Sequence, residues 1–314
     1  MLIFHSANIK DDQVGEFELG QCLSGMLEPL ACLAAVLGLE IVQIHESPAV
    51  YRSPEQLYVY FSHESPIYDN LNGFENRFQS FFNLTMTYRR DSDFVVPYGE
   101  TIRRKKPEES EGKINLKEMN ASRIDDRKMI AWVVSHCQTN SQREKYVEEL
   151  RKWIPVDQYG KCSENECDDN CYGNLGAQYK FYLSFENSLC KDYITEKFWN
   201  ALGIIFELFL FTAGAGDYNN AAPPNSFINT QDFKSPKELA HYLLKLDKNV
   251  EEYNKYLDWK TTYAIKSNLF PTIGEKLCEL CARVHKQENK VYSNFGDWWE
   301  KDVCSSPTWN EDDS

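Results

Sequence analysis

The sequence lacks any apolar run long enough to cross a membrane. The longest, Leu30 to Leu39 and the Gly203 to Gly216 region, fall well short of the ~20 residues a spanning helix requires. Its first residues, Met1-Leu-Ile-Phe-His5, have neither a basic segment nor a long apolar stretch, so they do not read as a secretory signal. Positive charge is also scarce: 34 Lys and Arg stand against 48 Asp and Glu, a net charge of −14. Coating nucleic acid or lying on an anionic lipid surface needs the opposite sign, so neither partner is expected. A small anionic ligand stays allowed, because it needs only a local cluster of cations. Cysteines number 10 in 314 residues, too few for a disulfide-scaffolded mini-protein.

What is present describes an ordinary globular chain. Hydrophobic residues make up 42% and charged residues 26%, and the length suits two domains with a well-buried core. Aromatic residues are plentiful at 14%. The cysteines are clustered, with Cys162, Cys167 and Cys171 together and Cys278-x-x-Cys281 apart. Two Asn-x-Ser/Thr sequons occur, at Asn83 and Asn120. Cysteines and sequons together lean toward the secretory pathway. The missing entry signal conflicts with that, unless the chain is cut short at its amino end.

Met1 to Ser6 reads as the end of a strand, and the Ala- and Leu-rich Leu23 to Ile44 as a buried helix. Gln56 to Phe61 reads as a strand, Gly73 to Phe82 as an amphipathic helix, and Phe94-Val-Val96 as a short strand. Thr101 to Asp126 is charged without an apolar period and reads as the connection between two domains. The boundaries expected are 1–115, a linker at 116–127, 128–290, and a C-terminal tail at 291–314. Lys128-Met-Ile-Ala-Trp-Val-Val134 is a continuous apolar run, as in a buried parallel strand. Ser141 to Trp153 predicts a helix, Val156 to Tyr159 and Tyr179 to Phe185 strands, and Thr195 to Leu202 another helix. Ser235-Pro-Lys-Glu announces a further helix by its cap and first-turn proline. Strand–helix alternation over 128–250 predicts a doubly wound α/β domain.

Several residues are candidates for chemistry. The stretch Phe185-Glu-Asn-Ser-Leu-Cys-Lys-Asp-Tyr-Ile-Thr-Glu-Lys197 runs from a strand end through a polar loop into a helix. A helix amino terminus capped by Thr195, with Lys197 in its first turn, suits a phosphate. It equally suits a plain capped surface helix with a Glu–Lys pair. Arg143 opens a helix just after another strand end, where a guanidinium can meet a phosphate or face solvent. Asp91-Ser-Asp93 matches a pattern that holds divalent cations, but Arg89 and Arg90 directly precede it and favour a structural ion pair. Glu64 follows a strand and precedes Pro66, a position for a general base. The tetrapeptide His63-Glu-Ser-Pro66 repeats His45-Glu-Ser-Pro48, which makes Glu46 a rival. Cys162, Cys167 and Cys171 lack standard zinc spacing and an obvious fourth ligand, so disulfides are favoured over a zinc-stabilised module.

Taken together, these motifs carry a resemblance. Tyr179 through Lys197 strongly resembles the sugar-donor signature of the α1,3-fucosyltransferases, and Phe82 through Gly99 resembles that family's second signature. Gln56 to Pro66, Ala222-Pro-Pro-Asn-Ser-Phe-Ile228 and Asp232 to Ala240 agree in order and spacing, so the likeness covers about 53 to 202 and 217 to 285. The resemblance implies an α/β protein of the GT-B class, two Rossmann-like domains facing a cleft, with an N-terminal acceptor domain and a C-terminal GDP-fucose domain. It implies inverting transfer of fucose to a GlcNAc hydroxyl of a glycan. Glu64 would be the base, and Arg143, Asn187, Tyr193, Glu196 and Lys197 would hold GDP-fucose. Departure of the diphosphate would need cations and a helix terminus but no obligatory metal, although divalent cations can stimulate some members. Golgi lumenal location follows from the family, which usually has a membrane anchor and stem absent from this sequence. Residues 11–50 look like an insertion. The segment Gly203 to Gly216 departs from the family's strand there, so a non-catalytic or damaged member is the alternative expectation. His136 stands where the family often has Asn.

Overall fold

The computed structural model describes residues 2–5, 40–41, 56–69, 78–105, 126–167, 171–204, 209–267, 269–284 and 290–307. The chain forms two compact units, residues 1–97 with 268–304, and residues 98–267 with 305–314.

The first unit is built on a five-stranded sheet of order β2-β1-β3-β4-β5. Its strands are β1 (Leu2–His5), β2 (Glu40–Ile41), β3 (Gln56–Ser62), β4 (Leu84–Thr87) and β5 (Phe94–Val95). β3, β4 and β5 run parallel, as a Rossmann-like half requires, while β1 lies antiparallel to both its neighbours. Side chains alternate across the strands. Val59, Leu84, Met86 and Phe94 pack with Leu277 and Leu280 of the helix Leu269–Val284. On the other face Tyr60 meets Phe82, Phe295 and Trp299 at ring-centroid distances of 5.3, 4.7 and 5.1 Å. Residues expected as a tail therefore group with the first unit, because Phe295 and Trp299 are buried in its aromatic layer.

Some local expectations need correction. The helix expected over Gly73 to Phe82 is absent from its described part, 78–82, which forms a turn. Ser80 has a φ of 53°, incompatible with a continuing helix, and the Phe pattern serves an aromatic cluster instead. Of the helix expected over 23–44 only residues 40–41 are described, and they form a strand. Glu46, Asn120 and residues 106–125 of the expected connection lie outside the described residues.

Asn83, expected as a glycosylation site, is buried. Its side chain is 5% exposed. Its amide nitrogen donates to the Lys290 carbonyl at 2.9 Å, and its oxygen accepts from the Tyr58 N–H at 2.9 Å. The atom that would carry a glycan is thus spent on tying β3 to the 290–299 segment. The Asp91-Ser-Asp93 carboxylates are likewise structural. Arg89 donates Nε and Nη2 to Asp91 at 2.8 and 2.6 Å. Asp93 accepts from Lys290 Nζ at 2.6 Å, the Tyr292 hydroxyl at 2.9 Å and the Thr85 N–H at 3.0 Å.

In the second unit, β6 (Glu100–Arg103) pairs antiparallel with a late strand, Tyr263–Lys266. The main sheet contains β7 (Lys128–Val133), β8 (Val156–Tyr159), β9 (Tyr179–Phe185), β10 (Phe209–Ala213) and β11 (Phe227–Asn229). Every neighbouring pair is parallel, in the order β11-β10-β9-β7-β8. Three helices flank it: α1 (Arg143–Leu150), α2 (Cys171–Gln178) and α3 (Glu196–Ile204). A fourth, α4 (Pro236–Asp247), is capped by Ser235, whose hydroxyl accepts from the Glu238 N–H as its sequence predicts. One side of the sheet buries Ile130, Trp132, Phe181 and Leu183 under α1 and α4. The other buries Ala131 and Tyr182 under α2 and α3. Burial on both faces is why β7 and β9 read as continuous apolar runs.

Within the segment Gly203 to Gly216, whose sequence departs from the family pattern, β10 is present and pairs in register from Phe209↔Phe181 to Ala213↔Phe185.

The Asn83 assignment predicts that Asn83→Ala costs about 2 kcal/mol of unfolding free energy, through loss of two buried hydrogen bonds. Urea titration measures this, and peptide mapping of protein secreted from eukaryotic cells should find Asn83 unmodified.

Candidate functional site

From β7 the chain moves to β8 on one side and then returns to β9 on the other. Ligands of open parallel sheets bind outside the carboxyl ends of the strands at such a reversal. Arg143, the first residue of α1, lies across it. Its Nη1 donates to the Phe185 carbonyl at 2.5 Å, at the end of β9. Its Nη2 donates to the His136 carbonyl at 3.1 Å, in the loop after β7. The side chain is 3% exposed, and the charge is held at a fixed place by carbonyl oxygens. The loop leading into α1 is itself pinned: Ser141 donates its N–H to the Asn187 carbonyl and its hydroxyl to the Glu186 carbonyl. A Cys137–Cys162 disulfide ties that loop to the one after β8. A second disulfide joins Cys167 and Cys171, so none of the three clustered cysteines offers a thiolate to zinc. Among the described residues no group of three or more His, Cys, Asp or Glu comes together as a metal site.

The sequence reading missed Glu186, although it stands inside the most informative motif. Its carboxylate has no exposed surface. Oε1 accepts from the Thr195 N–H and Oε2 from the Thr195 hydroxyl, both at 2.8 Å. Burial pushes this carboxyl above its ordinary pKa, against the opposing pull of Lys197 and Thr195. Lys197 Nζ sits 2.9 Å from Glu196 Oε1, 3.1 Å from Thr195 Oγ1 and 3.7 Å from Glu186 Oε2. Burial pulls the Lys197 ammonium down, yet Glu186 and Glu196 outweigh it and Arg143 opposes only weakly, so its pKa is raised and it stays cationic. Burial pushes Glu196 up, but Lys197 wins and its carboxyl falls below the ordinary value.

The amino terminus of α3 differs from expectation. Thr195 does cap it, with Oγ1 accepting from the Lys197 N–H at 3.3 Å. Its first amides, however, already have internal partners. Thr195 N–H is taken by Glu186, Lys197 N–H by the Thr195 hydroxyl, and Phe198 N–H by the Thr195 carbonyl.

Glu196 and Lys197 are thus brought together beside Thr195 and Glu186, while Arg143 is bonded to the Phe185 carbonyl just ahead of Glu186 and the Asn187 carbonyl accepts from Ser141. Tyr193 is two residues ahead of the cap, buried, with its ring 6.5 Å from that of Tyr98. Gln142 and Asp192, the residues just before Arg143 and Tyr193, have φ angles of 51° and 59°. Non-glycine residues hold that region at a cost of about 1–2 kcal/mol each, and such strain gathers at functional sites. After β10, a Cβ on Gly214 would lie 2.2 Å from the Tyr218 hydroxyl, and one on Gly216 only 2.3 Å from Ile194 Cγ1.

Glu64 belongs to the first unit, in the turn after β3. Its Oε1 accepts from the Ser65 N–H at 2.9 Å, and its own N–H donates to Ser62 Oγ at 3.1 Å. The turn is fixed from below, where Asp69 accepts from the Tyr60 hydroxyl at 2.7 Å and from Trp299 Nε1. His63 beside it is partly buried. Burial lowers its pKa from 6.5 to about 4, against a smaller upward pull from a hydrogen bond with the Val96 backbone.

Comparison with known proteins follows the same outline. A family described as glycosyltransferase family 10 (fucosyltransferase), C-terminal, matches residues 124–298, and one described as fucosyltransferase, N-terminal, matches 34–99. Residues 34–50, expected within an insertion, therefore fall inside the matched range. Glycoprotein 3-alpha-L-fucosyltransferase A of Drosophila melanogaster is 39% identical over 72% of this chain and 45% of its own length. Alpha-(1,3)-fucosyltransferase C of the same fly is 34% identical over 79% of this chain and 60% of its own. A 3-galactosyl-N-acetylglucosaminide 4-alpha-L-fucosyltransferase of Bos taurus is 36% identical over 82% and 67%. The chain spans about half to two thirds of the length of these relatives. A solved α1,3-fucosyltransferase structure with GDP-fucose aligns with a TM-score of 0.51 at 18% identity, covering 75% of this chain and 76% of that one. The fold is the GT-B class expected from the sequence.

Two outcomes follow from the site's surroundings. Because native His63 binds its proton more weakly than the unfolded chain does, its stabilising contribution is full above pH 6.5 and is lost as pH falls toward 4. Melting curves at several pH values should show His63→Gln flattening the acid side of the profile. Gly216→Ala should cost about 2 kcal/mol, measured by denaturant titration, since a methyl group there overpacks Ile194.

Proposed function

The chain belongs to glycosyltransferase family 10, and on that premise we propose that it moves fucose from GDP-fucose to a GlcNAc hydroxyl of a glycoprotein or glycolipid glycan, in α1,3 linkage and with inversion. The observation that carries the reading is the fixed cation of Arg143 at the sheet's reversal point together with the Lys197 ammonium on α3. Inversion needs one displacement. The acceptor hydroxyl attacks the anomeric carbon from the face opposite the departing GDP, and the C–O bond to the diphosphate breaks as the new one forms. Two services are required: a base for the hydroxyl proton and positive charge for the diphosphate.

Glu64 is assigned the first. Its Oε1 accepts from the Ser65 N–H, and its place at a strand end suits a group that must meet an exchanging substrate. Arg143 and Lys197 are assigned the second, which leaves no obligatory role for a metal. Asn187 and Tyr193 offer an amide and a phenol to the donor's polar edges, and the half-exposed Glu196 carboxylate suits a sugar hydroxyl. The paired cysteines fit an oxidising compartment, in keeping with a Golgi lumenal location.

Transfer of radiolabelled fucose from GDP-fucose to GlcNAc-containing glycans, read with calorimetric GDP binding, tests the assignment. Glu64→Gln should lower kcat by about 10²–10⁴ while GDP affinity is kept. Lys197→Ala should weaken GDP binding by roughly ten- to a hundredfold, the worth of a lost charged contact. Wild-type turnover by Glu64→Gln contradicts the base assignment. GDP binding without transfer to any acceptor makes the chain a non-catalytic member.

A further inference from the structure

Lys197 is the one cation of the site with appreciable freedom to move. Its side chain is 23% exposed, and its partners within the site are a fully buried carboxylate, a half-exposed one and the Thr195 hydroxyl. Glu186 cannot follow it. The Thr195 N–H and hydroxyl hold one carboxylate oxygen each, and the residue's own carbonyl is fixed by Ser141. Glu196 is 49% exposed and tolerates separation from the ammonium, because water replaces the contact. The two carboxylates and one ammonium together carry a net negative charge beside the place where a diphosphate is to bind. Arg143 brings the sum only to neutral.

We propose that Glu186 is a positioning residue that holds the Lys197 ammonium in reserve, so that the affinity for a nucleoside diphosphate is set by competition between this buried carboxylate and the incoming phosphate. The proposal rests on the reading of Arg143 and Lys197 as the diphosphate site and adds a residue that opposes binding. Without ligand, Lys197 is kept protonated and folded back on its own helix terminus. When a diphosphate arrives, the ammonium swings the few ångströms to it, and Thr195 alone keeps Glu186 satisfied. On release of GDP the carboxylate takes the ammonium back. An acid whose charge weakens product affinity suits a transferase, in which GDP departure otherwise limits turnover.

A purely structural Glu186 and a competing one differ in sign. Glu186→Gln preserves shape and an acceptor for the Thr195 N–H, and removes the charge. Calorimetric titration of the full chain with GDP should show the variant binding roughly tenfold more tightly than wild type, as expected from removing a unit charge within several ångströms of the phosphates. Steady-state fucose transfer should show a lower kcat with a lower KM for GDP-fucose. Unchanged or weaker GDP binding by a folded Glu186→Gln protein overturns the proposal. If that variant fails to fold, Glu186→Asp draws the carboxylate back from Lys197, and a smaller tightening is expected. A chain that folds only with glutamate at 186 assigns the residue to stability and also overturns it. Failure of the underlying donor reading is separate and visible in wild type: protein that binds no GDP at all removes the site, and this inference with it.

Discussion

The second unit turns on a carboxylate that water never reaches. Glu186 leaves β9 and receives both the N–H and the hydroxyl of Thr195, so the strand end and the start of α3 are held as one piece. Charge-assisted hydrogen bonds of this kind are stronger than neutral ones, and no solvent competes for these. Their consequence is positional. The loop between them, with Asn187 and Tyr193, has both ends fixed, and Lys197 begins its helix at a set distance from the strand. The same residue's carbonyl accepts from Ser141, which sets where Arg143 enters α1. Removing one contact would loosen three elements together.

The arrangement also gives a chain with a net charge of −14 the local pair of cations that the proposed diphosphate site needs. Positive charge is placed by burial and hydrogen bonding rather than by abundance. Arg143 is locked by the carbonyl that ends β9 and by one in the loop after β7, at the position where the strand order reverses. Lys197 stays charged despite burial because two acids stand beside it. In the first unit, Arg89, Lys290 and Arg283 are spent on Asp91 and Asp93, and so hold the 290–299 segment rather than a ligand.

Much of this was legible in the sequence, and the pattern of success has a physical basis. β7 and β9 were readable because strands buried on both faces are largely apolar runs. The start of α4 was readable from Ser235-Pro236, because capping is local chemistry. The candidate residues Arg143, Asn187, Tyr193, Glu196 and Lys197 came from the resemblance, and Glu196 and Lys197 meet beside Thr195 and Glu186 while Arg143 reaches the neighbouring Phe185 carbonyl. What escaped was whatever depends on distant partners. Asn83 is a glycosylation sequon by spelling and a buried connector by its bond to Lys290, over 200 residues away. The Phe-rich stretch near Phe78 looked helical until aromatic packing and the Ser80 backbone decided otherwise. Segment 203–216 looked damaged because a Phe/Leu strand was compared with a family pattern; pairing with β9 decides its structure. Glu186 was overlooked because an acid next to an expected phosphate site argues against itself until its partners are seen.

The central claim is that Arg143 and Lys197 receive the diphosphate of a sugar nucleotide at the reversal point of the second sheet. A crystal structure of the chain soaked with GDP tests it most directly. The account predicts phosphate oxygens within hydrogen-bond distance of Lys197 Nζ, with the guanidinium of Arg143 beside them and Glu186 still on Thr195. A diphosphate bound elsewhere, with Lys197 unmoved against Glu186 and Glu196, would contradict it.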